Sequence, residues 1–479
     1  MKNIDHSKDN SLKLALTNTL QFGDTDIFPM PYEYEILQYQ SDTILEIFRE
    51  KEYQTQSNSL HIEINKRGGG TRIATLIDPL LHLEYLSLAV EIAAVVESMR
   101  LPKTDNIVHS YRFNPDETTG KLFDKNYGFY SYRRACCEQK SISFRHRIVL
   151  DIKDFYQSIS FDTLANVLKQ NGIQLVQIER LKKIIEHINS HKHYGLPIGG
   201  NASRILAEIL LNEIDKHLIA HDITFVRYVD DITIFSKKDE ISDLLLIRQK
   251  LTELGLNINY EKLRIAEHSQ TSFDNIFDTI TYGDETGDEE EQQAEIILNK
   301  QIGKIREDKK VSAGLLELIN SPAKINDFSL RLANNFGFLH SDFGRIARWI
   351  LKHSDVLDFW VVEEIDILVL RLFKLKHSVL ASPENRAFAI RLLGLQNTMR
   401  DETVGLLASE YINKCPLIRS AIVHVFRLCG CADFFNKSIE NFKHIEPWER
   451  RAFVMAPEIR GKLTGEQFTL LENILINEN

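Results

Sequence analysis

The sequence predicts an α+β domain followed by an all-α helical domain. Three observations lead there. The stretch "RIVLD" (147–151) is a short continuous apolar run that ends on a carboxylate. In "FVRYVDDITIF" (225–235), strand-favouring residues flank Asp230 and Asp231 on both sides. Beyond the acidic, turn-rich segment "YGDETGDEEEQQ" (282–293), nearly everything has helical period.

Residues 1 to 65 mix short helical patterns with polar segments, and "FPMPYEYEILQY" (28–39) is their most aromatic part. "KRGGGTR" (66–72) is a glycine turn flanked by cations. Asp78 and Pro79 then read as N-cap and first helical residue, and Leu80, Leu83, Leu86 and Val90 carry the apolar face of a helix. "RIVL" is a strand and "FDTLANVLKQ" a helix. "GLPIGGNASRILAEILLNEIDKHLIA" (195–220) is a Gly/Pro loop running into a long helix. After the hairpin around Asp230 come a helix, a Gly turn and a short strand within 241–265. This order suits helices layered on an antiparallel sheet. In the C-terminal part, "NRAFAIRLLG" (385–394), "RSAIVHVFRLCG" (419–430) and "RRAFVMA" (450–456) resemble one another, with Ala387, Ala421 and Ala452 spaced by 34 and then 31 residues. That spacing suits stacked helix pairs of the HEAT type, with an irregular helical bundle as the alternative.

The bulk numbers exclude some classes. A chain of 479 residues, 43% apolar and 26% charged, has the composition of an ordinary globular protein with two or three domains. No uninterrupted apolar run of bilayer-spanning length is evident, and "MKNIDHSKDNSLKLAL" lacks an apolar signal core, which together predict a cytosolic protein. Five cysteines without a C-x-x-C pair argue against a disulfide framework or a structural zinc site. The net charge of −10 argues against tight nonspecific duplex binding, although a basic channel can exist inside an acidic protein.

Asp230 and Asp231 carry the chemistry. At a tight hairpin tip Gly or Asn is the usual choice, because φ is positive there. Two adjacent carboxylates repel unless a cation neutralises them, which points to a divalent metal. Asp151, directly after "RIVL", is the natural third carboxylate. Mg²⁺ prefers oxygen ligands and is commonly held by one or two carboxylates plus substrate phosphates. Two such ions can stabilise both the attacking and the leaving oxygen of a phosphoryl transfer.

"DIKDFYQSI", "LPIGGNASRILAE", "RYVDD" and "GLNINYEKLRI" resemble, in that order, the successive palm motifs of reverse transcriptases, with the likeness covering about residues 60 to 265. The resemblance implies a right-hand polymerase with an N-terminal region and fingers over 1–145, a palm over 146–281, an acidic linker over 282–293 and a helical domain over 294–479. It implies that Asp151, Asp230 and Asp231 hold two Mg²⁺ (or Mn²⁺) ions together with the Ile152 carbonyl. Tyr156 matches the aromatic residue that excludes a 2′-hydroxyl. Gly199 and Ser203 match the loop and helix start that support template and incoming base. Lys262 matches a lysine beside the leaving pyrophosphate, and Lys66 and Arg72, joined by Arg112, match finger residues that grip the triphosphate.

Ile198 and Arg204 depart from the retroviral and intron pattern, which has Gln after the Pro and often Pro after the Ser. Glu208 and Asp215 replace neutral residues in the following helix. This form is similar to bacterial defence-associated reverse transcriptases of the abortive-infection (Abi) type, which also carry a C-terminal helical-repeat domain. That group implies a cytoplasmic bacterial enzyme that adds dNTPs into single-stranded DNA in antiphage defence. It implies in some cases no template and a tyrosine primer, with homo-oligomers (trimer or hexamer) as the assembly. Tyr32, Tyr34, Tyr39 and Tyr411 are the candidate primers. "YRR" (132–134) and "FRHR" (144–147) combine aromatic and cationic residues suited to single-strand contact. Two rival readings remain open: a reverse transcriptase templated by a noncoding RNA in a retron-like system, and a catalytically silent scaffold binding through its helical repeats. A nucleotide cyclase with a related palm fits "LPIGGNAS" poorly.

Overall fold

The structure is a computed structural model. It describes residues 6–24, 27–28, 34, 37, 41–42, 48, 59–65, 71–138, 144–190, 195–237, 240–267, 326, 329, 343–396, 399–412, 415–429 and 431. The chain divides into two compact units, one of Met1–Thr25, Glu33–Glu63 and Arg72–Glu285, the other of Asp26–Tyr32, Ile64–Thr71 and Thr286–Asn479. The acidic segment 282–293 lies outside the described residues.

The first unit opens with α1 (His6–Phe22), then β1 (Leu60–Asn65) and β2 (Thr71–Leu76), where His61 Nδ1 lies 3.1 Å from Thr75 Oγ1. In α2 (Pro79–Met99), Asp78 is the N-cap: its carboxylate accepts from the Leu80 and Leu81 amides at 3.1 and 3.4 Å, and Pro79 takes the first turn. By length and composition α2 could cross a membrane, which the sequence alone did not suggest. Most of its apolar residues are instead buried in the core against α1 and the helices that follow.

Next come β3 (Phe113–Asp116), β4 (Lys121–Phe123), α3 (Phe129–Glu138), β5 (His146–Leu150), α4 (Phe155–Ser158), α5 (Phe161–Gln170), α6 (Leu175–Ile188), α7 (Asn201–Ala220), β6 (Thr224–Tyr228), β7 (Asp231–Ser236), α8 (Glu240–Glu253) and β8 (Arg264–Glu267). The strands β6, β7, β5 and β8 form, in that order, one antiparallel sheet. The predicted α+β layering is therefore present. The helix α6 carried no expectation, although Ile178, Leu181, Ile184, Ile185 and Ile188 form its buried stripe at helical spacing. The inner strands are buried on both faces: Ile148, Val149 and Leu150 in β5, and Ile232, Thr233, Ile234 and Phe235 in β7. Side chains buried on both faces explain why these strands read as continuous apolar runs rather than alternating ones.

In the second unit the described residues include α9 (Phe343–Lys352), α10 (Phe359–Lys374), α11 (Pro383–Leu393), α12 (Asp401–Glu410) and α13 (Pro416–Leu428), all helical as the periodicity predicts. Ala387 on α11 and Ala421 on α13 are buried, and these two helices pack on each other. The third similar stretch, with Ala452, lies outside the described residues.

Candidate active site

The sheet register brings the key carboxylates together. Leu150 pairs with Ile232 across β5 and β7, so Asp151, just after Leu150, and Asp231, just before Ile232, lie at the same end of the sheet. Like charges brought together repel, so this end of the sheet calls for positive charge. Lys262 supplies some of it: its Nζ lies 2.9 and 3.1 Å from the two carboxylate oxygens of Asp151. The Asp151 backbone is held as well, its carbonyl accepting from the Asn259 amide at 2.8 Å. Ile152 is buried and forms an antiparallel bridge with Ile258. "GLNINYEKLRI" thus braces the strand end that carries Asp151.

The hairpin tip sits one residue earlier than expected. Tyr228 pairs with Asp231, so the two-residue loop is Val229-Asp230, and Asp231 is the first residue of β7. The positive φ falls on Val229, at 49°. A β-branched residue there is an outlier of the kind that collects at functional sites. Burial, and after it the neighbouring Asp230 and Asp151, push the Asp231 carboxyl well above the usual carboxylate range, with Lys262 opposing. For Lys262, burial is outweighed by Asp151 and its neighbours, which hold the ammonium above the ordinary lysine value.

Among the described residues no group of three His, Cys, Asp or Glu side chains stands close enough to enclose a metal ion. The donor set nonetheless fits Mg²⁺, which needs only one or two carboxylates when waters and substrate phosphates complete its shell. Burial, and after it the neighbouring Asp230 and Asp151, disfavour a bare Asp231 carboxylate, and a divalent cation there would offset that.

Other expected residues fall as follows. Tyr156 is half-buried on α4. Burial first, and Asp230 among the nearby charges, raise its hydroxyl well above the usual range, so it lies near the carboxylates. Gly199 sits in the loop before α7 with φ 98°. Ser203 is fully buried and its hydroxyl lies 3.1 Å from that of Tyr85, a contact between α2 and α7. Arg112 is turned inward: it donates from Nε to Glu97 at 2.7 Å and from Nη1 to the Leu101 carbonyl at 2.9 Å. Arg72 is half-buried on β2, and Lys66 lies outside the described residues. Arg204 is buried, donates to Asn201 at 2.9 Å and lies over the Tyr111 ring at 5.2 Å.

The tyrosines and basic clusters need correction too. Tyr34 is 2% exposed, with its hydroxyl 3.0 Å from His82 Nδ1, so it does not present the free hydroxyl a primer needs. Tyr411 is half-buried in the second unit, where Arg419 covers its ring at 5.0 Å. Tyr32 and Tyr39 lie outside the described residues. In the expected nucleic-acid clusters, Tyr132 is buried with its hydroxyl 2.7 Å from Thr233 Oγ1, and Phe144 is buried against Phe235. Arg147 is buried as well. Their apolar bodies fill the core, so they offer no stacking surface.

One group carried no expectation as a unit. Arg227, the "R" of "FVRYVDD", is fully buried beside the buried Glu208, Asp215 and Arg100. Glu208 and Asp215 lie seven residues apart on one face of α7. Two carboxylates among the buried residues of a long helix, and an arginine inside an apolar strand, were the signal that could have revealed it.

Residues 95–284 match the family model described as "Reverse transcriptase (RNA-dependent DNA polymerase)". The chain therefore carries a reverse-transcriptase domain and is an enzyme of the nucleotidyltransferase class. Domains of this family bind nucleotides and nucleic acid and generally use divalent metal ions. Among solved structures, the chain aligns with telomerase from Candida albicans in complex with a TWJ fragment of telomeric RNA, at 13% identity over 72% of this chain and 68% of that one, with a TM-score of 0.29. It also aligns with apo telomerase from Candida tropicalis, at 12% identity over 82% and 72%, with a TM-score of 0.31. Likeness this slight carries no argument. No curated protein matches the chain.

Proposed function

We propose that the protein is a DNA polymerase in which Asp151, Asp230 and Asp231 hold two divalent ions and deoxynucleotides are joined by phosphoryl transfer. The observation that supports this reading is that Asp151 directly follows Leu150 and Asp231 directly precedes its partner Ile232, at one end of the sheet, with Lys262 bonded to Asp151. Bound Mg²⁺ would supply charge neutralisation at the attacking and leaving oxygens. The chain's own residues do the rest. The carboxylates and the Ile152 carbonyl orient the triphosphate end. Tyr156 closes the sugar side against a 2′-hydroxyl. Lys262 stands ready to neutralise, or protonate, the departing pyrophosphate. Arg72 and Lys66 are the cations for the outer phosphates.

Within this reading, synthesis is primed by a protein tyrosine, runs without a template and serves antiphage defence of the Abi type. The inward commitment of Ser203 and Arg204 supports weak template contact. Tyr32, Tyr39 and Tyr411 are the candidate primers, with the buried Tyr34 the least accessible of the described ones. The helices over 343–428 would form a HEAT-like surface for assembly or a partner protein. A second reading, synthesis templated by a noncoding RNA, is favoured by the matched family, whose members are RNA-dependent.

Purified protein incubated with Mg²⁺ and labelled dNTPs, without added primer or template, separates the two. Label that stays on the denatured protein, survives RNase and disappears in Asp230→Ala/Asp231→Ala supports protein-primed untemplated synthesis. Product that requires RNA supports the templated reading. No incorporation under any condition, including a primed template with all dNTPs, overturns both.

A further inference from the structure

We infer that Arg227 is a positioning residue that clamps the turn carrying Asp230; this rests on the polymerase reading above. The turn begins at Val229, whose φ of 49° is one that a β-branched side chain avoids. Something must hold it, and among the described residues Arg227 Nη1 donates to its carbonyl at 3.1 Å. The guanidinium is in turn immobilised on every side. Nε and Nη2 donate to the two oxygens of Asp215 at 2.7 and 2.6 Å. Nη2 also donates to Glu208 at 3.0 Å, and Nη1 to Ser110 Oγ at 3.3 Å. Arg100 Nη2 donates to the same Glu208 oxygen at 2.7 Å, so two arginines and two carboxylates form a charge-neutral buried group.

Burial pulls against the ionised forms: it raises the Asp215 carboxyl above its ordinary value, with Arg227 opposing, and it lowers Arg100, with Glu208 opposing. Burial alone would lower the Arg227 pKa, but Asp215 and Glu208 more than reverse this and hold it above the usual arginine value. Burial would raise the Glu208 carboxyl, and Arg100 and Arg227 hold it below its ordinary value. The backbone of Arg227 is pinned too: its amide donates to the Ile107 carbonyl, and its carbonyl accepts from the His109 amide, both at 2.9 Å. A group buried this completely has no route to substrate. Its only reach toward the reacting centre is through the Val229 carbonyl, one residue from Asp230.

The planar guanidinium meets four acceptor groups at fixed angles, which a lysine ammonium cannot reproduce. Arg227→Lys keeps the charge, and so the fold, while releasing the turn. Glycine at 229 accepts positive φ without strain, so Val229→Gly removes the need for the clamp. The double-mutant cycle therefore isolates the clamp from simple destabilisation.

The experiment has two readouts on the full chain, each variant first shown to be folded by thermal unfolding. The first is hydrogen exchange of the 225–235 segment. Arg227→Lys is expected to speed exchange there at least about 10-fold, and in a Val229→Gly background less than about 3-fold. The second is Mn²⁺ binding by calorimetry, with Asp230→Ala as the site control. Arg227→Lys is expected to weaken Mn²⁺ about 10-fold in the wild-type background and less than about 3-fold with Val229→Gly. Unchanged exchange in Arg227→Lys, or equal effects in both backgrounds, overturns the clamp. Unchanged Mn²⁺ affinity alongside faster exchange overturns its role in positioning Asp230. A wild type that binds no Mn²⁺ overturns the metal reading instead, and the clamp is then judged by exchange alone.

Discussion

Gly195 is the position where one added methyl group should do the most damage for the least chemistry. It opens "GLPIGG" with φ +68°, and its carbonyl accepts from Asn189 Nδ2 at 2.9 Å. The next amide, that of Leu196, donates to the Tyr156 carbonyl at 2.9 Å. A Cβ at 195 would collide with the Tyr156 carbonyl oxygen and come within 2.5 Å of the Gln157 oxygen and 2.7 Å of its carbon. These are backbone atoms and cannot swing away. Gly172, with φ +80° and nothing within 4 Å, is the internal control. Alanine there meets only the strain of positive φ, about 1–2 kcal/mol, partly offset by about 0.4–1 kcal/mol from a less flexible unfolded chain. The net cost is about 1 kcal/mol. Gly195→Ala adds the loss of two hydrogen bonds as the loop backs away, about 1 kcal/mol each, for a total of about 3 kcal/mol by the same terms. Urea-dependent hydrogen exchange of peptides across 146–188 reads the first unit without interference from the second. Gly195→Ala no more destabilising than Gly172→Ala would refute the steric reasoning.

Other outcomes follow from the same geometry. Asp231→Asn removes a carboxylate that burial and its neighbours disfavour; it should raise the melting temperature of the metal-free protein while abolishing incorporation, and a lowered melting temperature would contradict the charge crowding. Lys262→Met should cut the incorporation rate by about 100-fold, with Lys262→Arg retaining more activity than Met; equal rates in all three proteins would remove Lys262 from the chemistry. His109 is fully buried between Ser131 Oγ at 2.9 Å and the Asn106 carbonyl at 3.1 Å. Burial, opposed by that carbonyl and aided by nearby arginines, pushes its pKa down to about 4. A depressed folded-state value means stability present above the unfolded pKa of about 6.5 and lost as pH falls toward 4. The melting temperature should therefore drop across that window by more in the wild type than in His109→Gln.

Much of this was legible in the residues. Asp78-Pro79 announced the start of α2 because capping is local chemistry, independent of what the helix later packs against. Asp151 stood out only beside the Asp230-Asp231 pair, because a lone aspartate after a strand is more often a cap or an exposed residue. The hairpin tip was misread by one residue, since turn propensity points to Asp whereas register is decided by pairing along the whole of β5, β7 and β6. Arg112, Ser203 and Tyr34 illustrate a different limit. Their side-chain types suit a site, and only tertiary packing shows that Glu97, Tyr85 and His82 have already engaged them. The Arg227 group was hidden for the converse reason: its members come from α2, the 107–112 segment, α7 and β6, and no single stretch contains them.

Anomalous diffraction from crystals grown with Mn²⁺ and a non-reactive dNTP analogue tests the central claim most directly. The expected result is two Mn²⁺ peaks about 3.5–4 Å apart, bridged by the triphosphate and touching Asp151 and Asp230, with Lys262 moved off Asp151 toward the phosphates. Analogue bound without Mn²⁺ at these carboxylates, or Lys262 still locked on Asp151, would contradict it.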